Sequence, residues 1–315
     1  GGQSNGASIT VDQPGALRVN AISFVDPTDS GRTKVELAVT RNLDSNTVAA
    51  GDFTVHTLGD GTASVSDVES NDGDGRLLLD VGDTSSVRIT GVSVGSNAVE
   101  TTDGTALEAR NYTVTSTSST IREGGPNDDD SDAANLFSGE RVALLSNEQN
   151  EDVEVTTDEG RFIFSGSTGA GSQVFVFDSA GRDTDDTYVF SYLGSSTDEQ
   201  YFDLRGLDLV ASVDERRVNQ NQAIEGEIEA NAGNRDVTVK LTGPDNSPDT
   251  TSMTLSGSGT GDFSLPAQSD PGNYTITVKD TATGITSDGY EVTVFRADPE
   301  ASFAERFLTD QTGDV

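Results

Sequence analysis

His56 is the only histidine in the chain, and cysteine is absent, so the side chains can do little chemistry. A Ser-His-Asp relay would need that one imidazole beside a nucleophile and an acid. His56 sits in the run Phe53-Thr54-Val55-His56-Thr57, where period-two alternation puts it on the face of Thr54, opposite Phe53 and Val55. It is expected to be a solvated strand residue rather than a general base. A zinc site would have to combine His56 with carboxylates at no familiar spacing, and neither a thiolate site nor a disulfide can form. Asp29-Ser30-Gly31 has the form of the short aspartic-protease signature, but that mechanism needs two facing carboxylates sharing a proton and no second copy is present. A turn is the expected role. Gly257-x-Gly259-x-Gly261 and Gly166-x-x-Gly169-x-Gly171 are glycine-rich but lead into no amphipathic helix whose N-terminus could hold an anion. They read as flexible β-connections. Acids are so abundant that paired carboxylates for glycoside hydrolysis have no diagnostic value.

Two features have more support. Asp128, Asp129, Asp130 and Asp132 crowd carboxylates into one stretch, and Asp72 and Asp74 follow Asn71 in another. Hard cations take six to eight oxygen ligands, so Ca²⁺ or Mg²⁺ is the candidate ion, with no organic cofactor. The EF-hand pattern is missing from both clusters, and a solvated acidic loop is the plainer reading. Asn111-Tyr112-Thr113 and Asn273-Tyr274-Thr275 are both N-glycosylation acceptors, Asn-x-Thr with x not proline.

A glycan needs open solvent, so the elements around Asn273 matter. In Asp270-Pro271-Gly272-Asn273-Tyr274-Thr275-Ile276-Thr277-Val278 the apolar residues alternate as in a half-buried strand. With Tyr274 pointing inward, Asn273 and Thr275 point outward. Asp270-x-Gly272-x-Tyr274 also resembles the tyrosine corner of immunoglobulin-like sandwiches. The absence of a cysteine pair and of tryptophan makes the likeness one of architecture only.

Similar short apolar runs recur along the chain, separated by turn clusters, and imply an all-β protein of tandem immunoglobulin-like β-sandwich domains. The expected division is 1–117, a sandwich; 118–206, a sandwich opening on an acidic loop; 207–297, an immunoglobulin-like sandwich; and 298–315, the start of a further domain cut short. A donor strand that completes a neighbour's sheet is the alternative for that last segment. In the first domain, Val35, Leu37 and Val39 alternate with Glu36, Ala38 and Thr40, which predicts one buried and one wet sheet face. In the second, Arg161 to Phe164 and Gln173 to Phe177 flank a Ser/Gly-rich loop and are expected to pair as a hairpin whose phenylalanines fill the core.

Composition limits the function classes. The chain has 315 residues, 32% of them hydrophobic and 6% aromatic, with 54 Asp plus Glu against 19 Lys plus Arg, for a net charge of −35. Such a field repels nucleic acid and anionic lipid. No apolar run approaches the ~20 residues of a membrane-spanning helix. The opening Gly-Gly-Gln-Ser-Asn-Gly suits a mature protein after removal of a signal peptide, or an excised fragment. High charge with low hydrophobicity is also a mark of disorder, but the regular apolar alternation opposes it. Lysine is scarce, with Lys34, Lys240 and Lys279 the only three. Acidic, lysine-poor, strand-patterned chains resemble proteins of extreme halophiles, whose self-repulsion is screened at molar salt by a Debye length of ~3 Å. Folding is expected to depend on salt.

The acidic sandwich modules, the two Asn-Tyr-Thr sequons, Gly272 to Val278, Leu136-Phe137-Ser138-Gly139-Glu140 and the segment Phe303 to Val315 together resemble haloarchaeal surface glycoproteins of the S-layer type. The resemblance lies in composition and module style across the whole chain, and the chain shows neither a Thr-rich stalk nor an anchor. It implies an extracellular, non-enzymatic structural glycoprotein, N-glycosylated, that assembles with itself into a surface array with divalent cations. A surface adhesin or ligand-binding ectodomain is the first alternative, which exposed aromatics among Tyr188, Tyr192 and Tyr201 would favour. The accessory β-region of a secreted hydrolase is the second.

Overall fold

The computed structural model describes residues 17–26, 32–58, 61–70, 74–82, 88–96, 99–184, 186–193, 199–244 and 247–296. Asp29-Ser30-Gly31, Asp72 and the segment 298–315 lie outside them. The described residues form two compact units, one made of those up to Leu207 with Ala282–Gly284 and the other of those in Asp208–Thr281 and from Ile285 onward, each taken by itself below. Both are all-β.

The first unit opens with strands β1 (Val19–Val25), β2 (Thr33–Val39), β3 (Phe53–Thr57), β4 (Thr62–Ala63), β5 (Asp67–Ser70), β6 (Arg76–Asp80), β7 (Ile89–Val94), β8 (Asn111–Thr113) and β9 (Thr115–Ser116). They form two sheets, ordered β5-β6-β2-β1-β9 and β4-β3-β7-β8. Between the sheets lies a core that includes Val35, Leu37, Val55, Leu77, Leu79 and Val92, all at 0% exposure. The chain then continues into β10 (Ser119–Arg122), β11 (Ala134–Phe137), β12 (Arg141–Leu145), β13 (Asp152–Thr157), β14 (Phe162–Ser167), β15 (Val174–Asp178), β16 (Thr187–Tyr192) and β17 (Glu199–Arg205). These build a second sandwich from sheets β10-β12-β15 and β11-β17-β16-β13-β14. Its core is aromatic: Tyr188 stacks on Phe202 with centroids 5.3 Å apart, and Phe177 lies 5.5 Å from the same ring.

No linker separates the two sandwiches. Thr117 and Ser118 alone join β9 to β10; the Thr117 N–H donates to Ser23 O in β1, and the Ser118 N–H donates to Arg141 O in β12. The outer faces of two sheets then meet. Ile22, Phe24 and Leu78 from the first sandwich pack with Ala143 and Val174 from the second, and Leu145 and Val176 border them. The expectation of a wet face on β2 is therefore corrected: all seven of its residues are buried, because the second sandwich covers the face that would otherwise meet water. Glu36 on that face, at 0% exposure, accepts from Arg76 Nε at 2.7 Å, from Ser172 Oγ at 2.5 Å and from Gln173 N at 3.3 Å. Gly171 reaches this junction with φ +75°, and a Cβ there would stand 2.8 Å from Val39 O, so the approach requires glycine.

The predicted hairpin is also corrected. β14 pairs with β13 and β15 pairs with β12, so residues 168–173 cross from one sheet to the other. Phe164 and Phe175 still touch, with centroids 5.2 Å apart, across the sandwich rather than along a ladder. Alternating phenylalanines fit both arrangements, and the glycines of the connection are what permit the crossing. Phe162 faces solvent at 58% exposure, so it is not part of the core.

The second unit consists of β18 (Leu209–Val213), β19 (Arg217–Asn219), β20 (Ile224–Ala230), β21 (Asp236–Thr242), β22 (Pro248–Thr254), β23 (Thr260–Leu265), β24 (Gly272–Asp280) and β25 (Tyr290–Phe295). Its sheets run β18-β20-β23 and β19-β25-β24-β21-β22, the same order as in the second sandwich and that of an immunoglobulin-like fold. One difference has a visible consequence. β18 is antiparallel to β20, whereas β10 is parallel to β12, so the chain must reverse between β10 and β11. The acidic stretch Gly124 to Asp132 makes that reversal inside the second sandwich.

Candidate functional site

The two sequons sit on strands as the pleat requires. Asn111 and Thr113 are exposed on either side of buried Tyr112 in β8, and Asn273 and Thr275 are exposed on either side of buried Tyr274 in β24. Tyr274 Oη donates to Asp270 O at 2.8 Å, which is the expected tyrosine corner. The structure adds two that the sequence reading did not identify: Tyr112 Oη donates to Glu108 O at 2.8 Å and Tyr188 Oη to Asp183 O at 3.0 Å. A Tyr four or five residues after an acidic turn at a strand start was the available signal. Each sequon is thus built around a corner tyrosine whose bond to the backbone fixes the strand's entry and the outward direction of the asparagine. In the second sandwich Thr187 stands beside the corner tyrosine in place of Asn and donates to Asp203 Oδ1 at 2.7 Å.

The two asparagines differ in setting. β8 is the edge of its sheet, and the Asn111 amide lies over Gly91, where a Cβ would come within 2.5 Å of Oδ1. β24 is a central strand, and Asn273 Oδ1 accepts from Thr293 Oγ1 at 3.1 Å. That bond orients the amide and leaves Nδ2, the atom a glycan takes, without a bond among the described residues.

At the reversal loop, Asp128, Asp129 and Asp132 are exposed and each offers a carboxylate oxygen, all within 4.8 Å of one another. Asp130 opens the short 3-10 turn Asp130–Asp132. The Asp129 carboxylate accepts from Ser131 Oγ at 2.5 Å, Ser131 N at 2.7 Å and Asp132 N at 3.2 Å, and these bonds, the hydroxyl first, hold its carboxyl below the usual range. One of its two oxygens, Oδ1, is thus already engaged in capping the turn. Asp74, the described member of the smaller cluster, is half-buried. It is held by Gln149 Nε2 from the second sandwich, a tie between sandwiches rather than an open acidic loop.

The His56 ring is half-buried, shares a face with exposed Thr54, and pairs through Nε2 with Ser93 Oγ at 2.7 Å. Among the described residues no carboxylate bonds to it, so the third member of a relay is missing there. Gly169 and Gly171, and Gly259 between β22 and β23, have positive φ and serve crossings and turns, as expected of β-connections. Tyr188 and Tyr192 are buried at 1% each; with only Tyr201 reaching solvent, these three residues form no exposed aromatic cluster. No helix among the described residues is long and apolar enough to cross a membrane.

No family model matches the chain. The chain is 39% identical over 185 residues to a cell surface glycoprotein of Haloferax gibbonsii, a match covering 57% of this chain and 21% of the relative. It therefore spans about a fifth of that relative's length. Solved structures with similar folds include the chicken CNTN1 FN1–FN3 domains (10% identity, 89% of this chain and 97% of that one, TM-score 0.31) and the I9–I11 tandem of titin (11%, 90% and 99%, TM-score 0.31). Domains 1–6 of the surface layer protein SbsC also match (13%, 91% and 55%, TM-score 0.26). At these TM-scores the superpositions carry no argument of their own, and the fold rests on the strand order above. The resemblance to haloarchaeal surface glycoproteins is borne out by the Haloferax relative, and the chain is extracellular, at the cell surface.

Proposed function

We propose that this chain is a load-bearing part of a haloarchaeal cell-surface glycoprotein that assembles with copies of itself into a surface array, with no catalytic role. The observation that carries this reading is the face-to-face junction of the first two sandwiches. A flexible string of modules would be joined by a polar linker; here two residues connect them, an apolar patch around Phe24 fills the contact, and Glu36 ties its edge. Such a joint resists bending, as a wall element must. N-linked glycans on Asn111 and Asn273 project from strand faces that the tyrosine corners hold outward. Divalent cations, Ca²⁺ or Mg²⁺, bridge acidic faces that would otherwise repel, with Asp128, Asp129 and Asp132 as the exposed ligands; in the same role Asp72, Asp74 and Asp130 are the weaker candidates.

Sedimentation and electron microscopy of the pellet, in about 2 M NaCl, test the assembly as Ca²⁺ is added and then chelated. Ordered sheets or filaments that dissolve on chelation are expected. A folded monomer indifferent to Ca²⁺ would instead favour a ligand-binding ectodomain. For the glycans, intact mass of the protein from a haloarchaeal host should fall by one glycan in each of Asn111→Gln and Asn273→Gln, and an unchanged mass at either site removes it.

A further inference from the structure

We propose a buried cation site at one end of the second sandwich, where the carboxylates of Glu123 and Glu151, the side-chain carbonyl of Gln200 and the hydroxyl oxygen of Tyr192 surround one Ca²⁺. Strand register brings the four together. In β13, Val153 and Val155 face the core at 0% exposure, and Glu151, two residues before Val153, is on the same face at 7%. β16 lies next to β13 with Tyr192 opposite Val153, and β17 lies next to β16 with Gln200 opposite Phe190. Tyr192 and Gln200 therefore point into the core at the end where Glu151 enters it. From the opposite sheet, Ile121 faces the same core at 2% exposure and Glu123 follows two residues later at 4%. Its backbone N–H bonds to Leu145 O at the end of β12 that leads, through residues 146–151, to Glu151. Gln200 Oε1 points to this corner as well, since it lies 3.2 Å from where a Cβ on Gly125 would stand.

Burial makes this grouping require a ligand. The Tyr192 hydroxyl and Gln200 Oε1, at 1% and 0% residue exposure, have no hydrogen-bond partner. Buried polar oxygens are rarely left so, and buried carboxylates are expected to be paired or to bind a metal. Glu123 accepts from Ser146 Oγ at 3.2 Å and Asn147 N at 2.7 Å, both through Oε2, and among the described residues it has no basic partner. Two carboxylates with two neutral oxygens form an all-oxygen set of charge −2, matching a hard divalent cation. Burial, reinforced by the charges of Glu123 and Glu151, raises the Tyr192 hydroxyl above its ordinary range, so it stays a neutral ligand. A water molecule would satisfy the two neutral oxygens but would bring no positive charge to the buried Glu123 carboxylate. This site is separate from the exposed Asp128 loop and does not depend on array formation.

Terbium luminescence on the monomeric full chain distinguishes these cases. Tryptophan is absent and there are six tyrosines, so Tb³⁺ can be excited only through a nearby tyrosine. One bright Tb³⁺ per chain is expected, displaced by Ca²⁺, together with a Ca²⁺-dependent rise in melting temperature. Tyr192→Phe should abolish most of the sensitised emission while retaining the thermal rise, because it removes the donor and one neutral ligand but leaves both charges. Glu123→Gln combined with Glu151→Gln should weaken Ca²⁺ binding at least about tenfold. Asp128→Asn with Asp129→Asn and Asp132→Asn should leave emission and affinity unchanged. Emission that survives Tyr192→Phe, or that disappears in the Asp loop variant, overturns the proposal. So does the absence of any thermal rise with Ca²⁺, which would leave a water-filled pocket. If the double glutamate variant does not fold, Tyr192→Phe, which buries no new polar atom, still decides the case.

Discussion

Phe24→Ala is the sharpest perturbation of the junction between the first two sandwiches. Phe24 lies on the outer face of β1 at 2% exposure, against Ile22, Leu78, Ala143 and Val174. Truncating a phenylalanine in a packed core costs about 3–5 kcal/mol. If the sandwiches were independent beads, the same side chain would face water and its loss would stay within about 0.5 kcal/mol. The two accounts therefore differ by several kcal/mol. Denaturant unfolding in about 2 M KCl, followed by circular dichroism and by tyrosine fluorescence in a background with Tyr112→Phe, Tyr274→Phe and Tyr290→Phe, which leaves only the tyrosines of the second sandwich, reads the difference. The wild-type pair should unfold in one transition, and Phe24→Ala should lower its free energy by about 3–5 kcal/mol with both signals. Phe24→Leu should lose under about 1.5 kcal/mol. A change within about 0.5 kcal/mol, or a shift that the tyrosines of the second sandwich do not report, would refute a packed junction.

Glu36→Gln should cost about 3–5 kcal/mol in the same assay, since it leaves the Arg76 guanidinium without its buried partner, and Arg76→Met in the same chain should recover part of that loss. Tyr274→Phe should cost about 1 kcal/mol for the corner bond to Asp270 O, and no measurable change would mean that the corner does not stabilise the fold. For Asp80, burial alone would raise the carboxyl, but the Gly82 N–H, Arg32 and Lys34 together outweigh it and hold the folded pKa below the ordinary 3.8. A depressed folded value contributes stability that is fully present above the unfolded pKa and is lost as pH falls through the folded one. Asp80→Asn should therefore be less stable than wild type at neutral pH, with the gap closing as pH falls below 3.8; a gap independent of pH would contradict the ion pairing.

Strands of the second unit were legible where they bury alternate residues. Alternation located β20, β21, β24 and β25, and the sequence spacing around Tyr274 identified its corner and turned Asn273 outward. The short β19 and the glycine-flanked β23 lacked that signal. In the first unit, alternation misled where both faces are buried. Leu77-Leu78-Leu79, Val142-Ala143-Leu144-Leu145 and Val174-Phe175-Val176-Phe177 are unbroken apolar runs, the mark of strands covered on both sides, and they are the strands that meet at or border the junction. Glu36 concealed the same fact on β2, because a carboxylate there reads as solvent-facing until its partners Arg76 and Ser172 are seen. The buried oxygens of the second sandwich were not legible either, since Glu123, Glu151 and Gln200 look like surface residues wherever acids are so common.

Immunogold labelling of the protein carrying this chain, on intact cells of its source viewed by electron cryotomography, tests the array most directly. Gold spaced on a regular lattice over the whole cell surface is the predicted result. Sparse or clustered gold lying outside any lattice would contradict a structural array and point to a ligand-binding ectodomain.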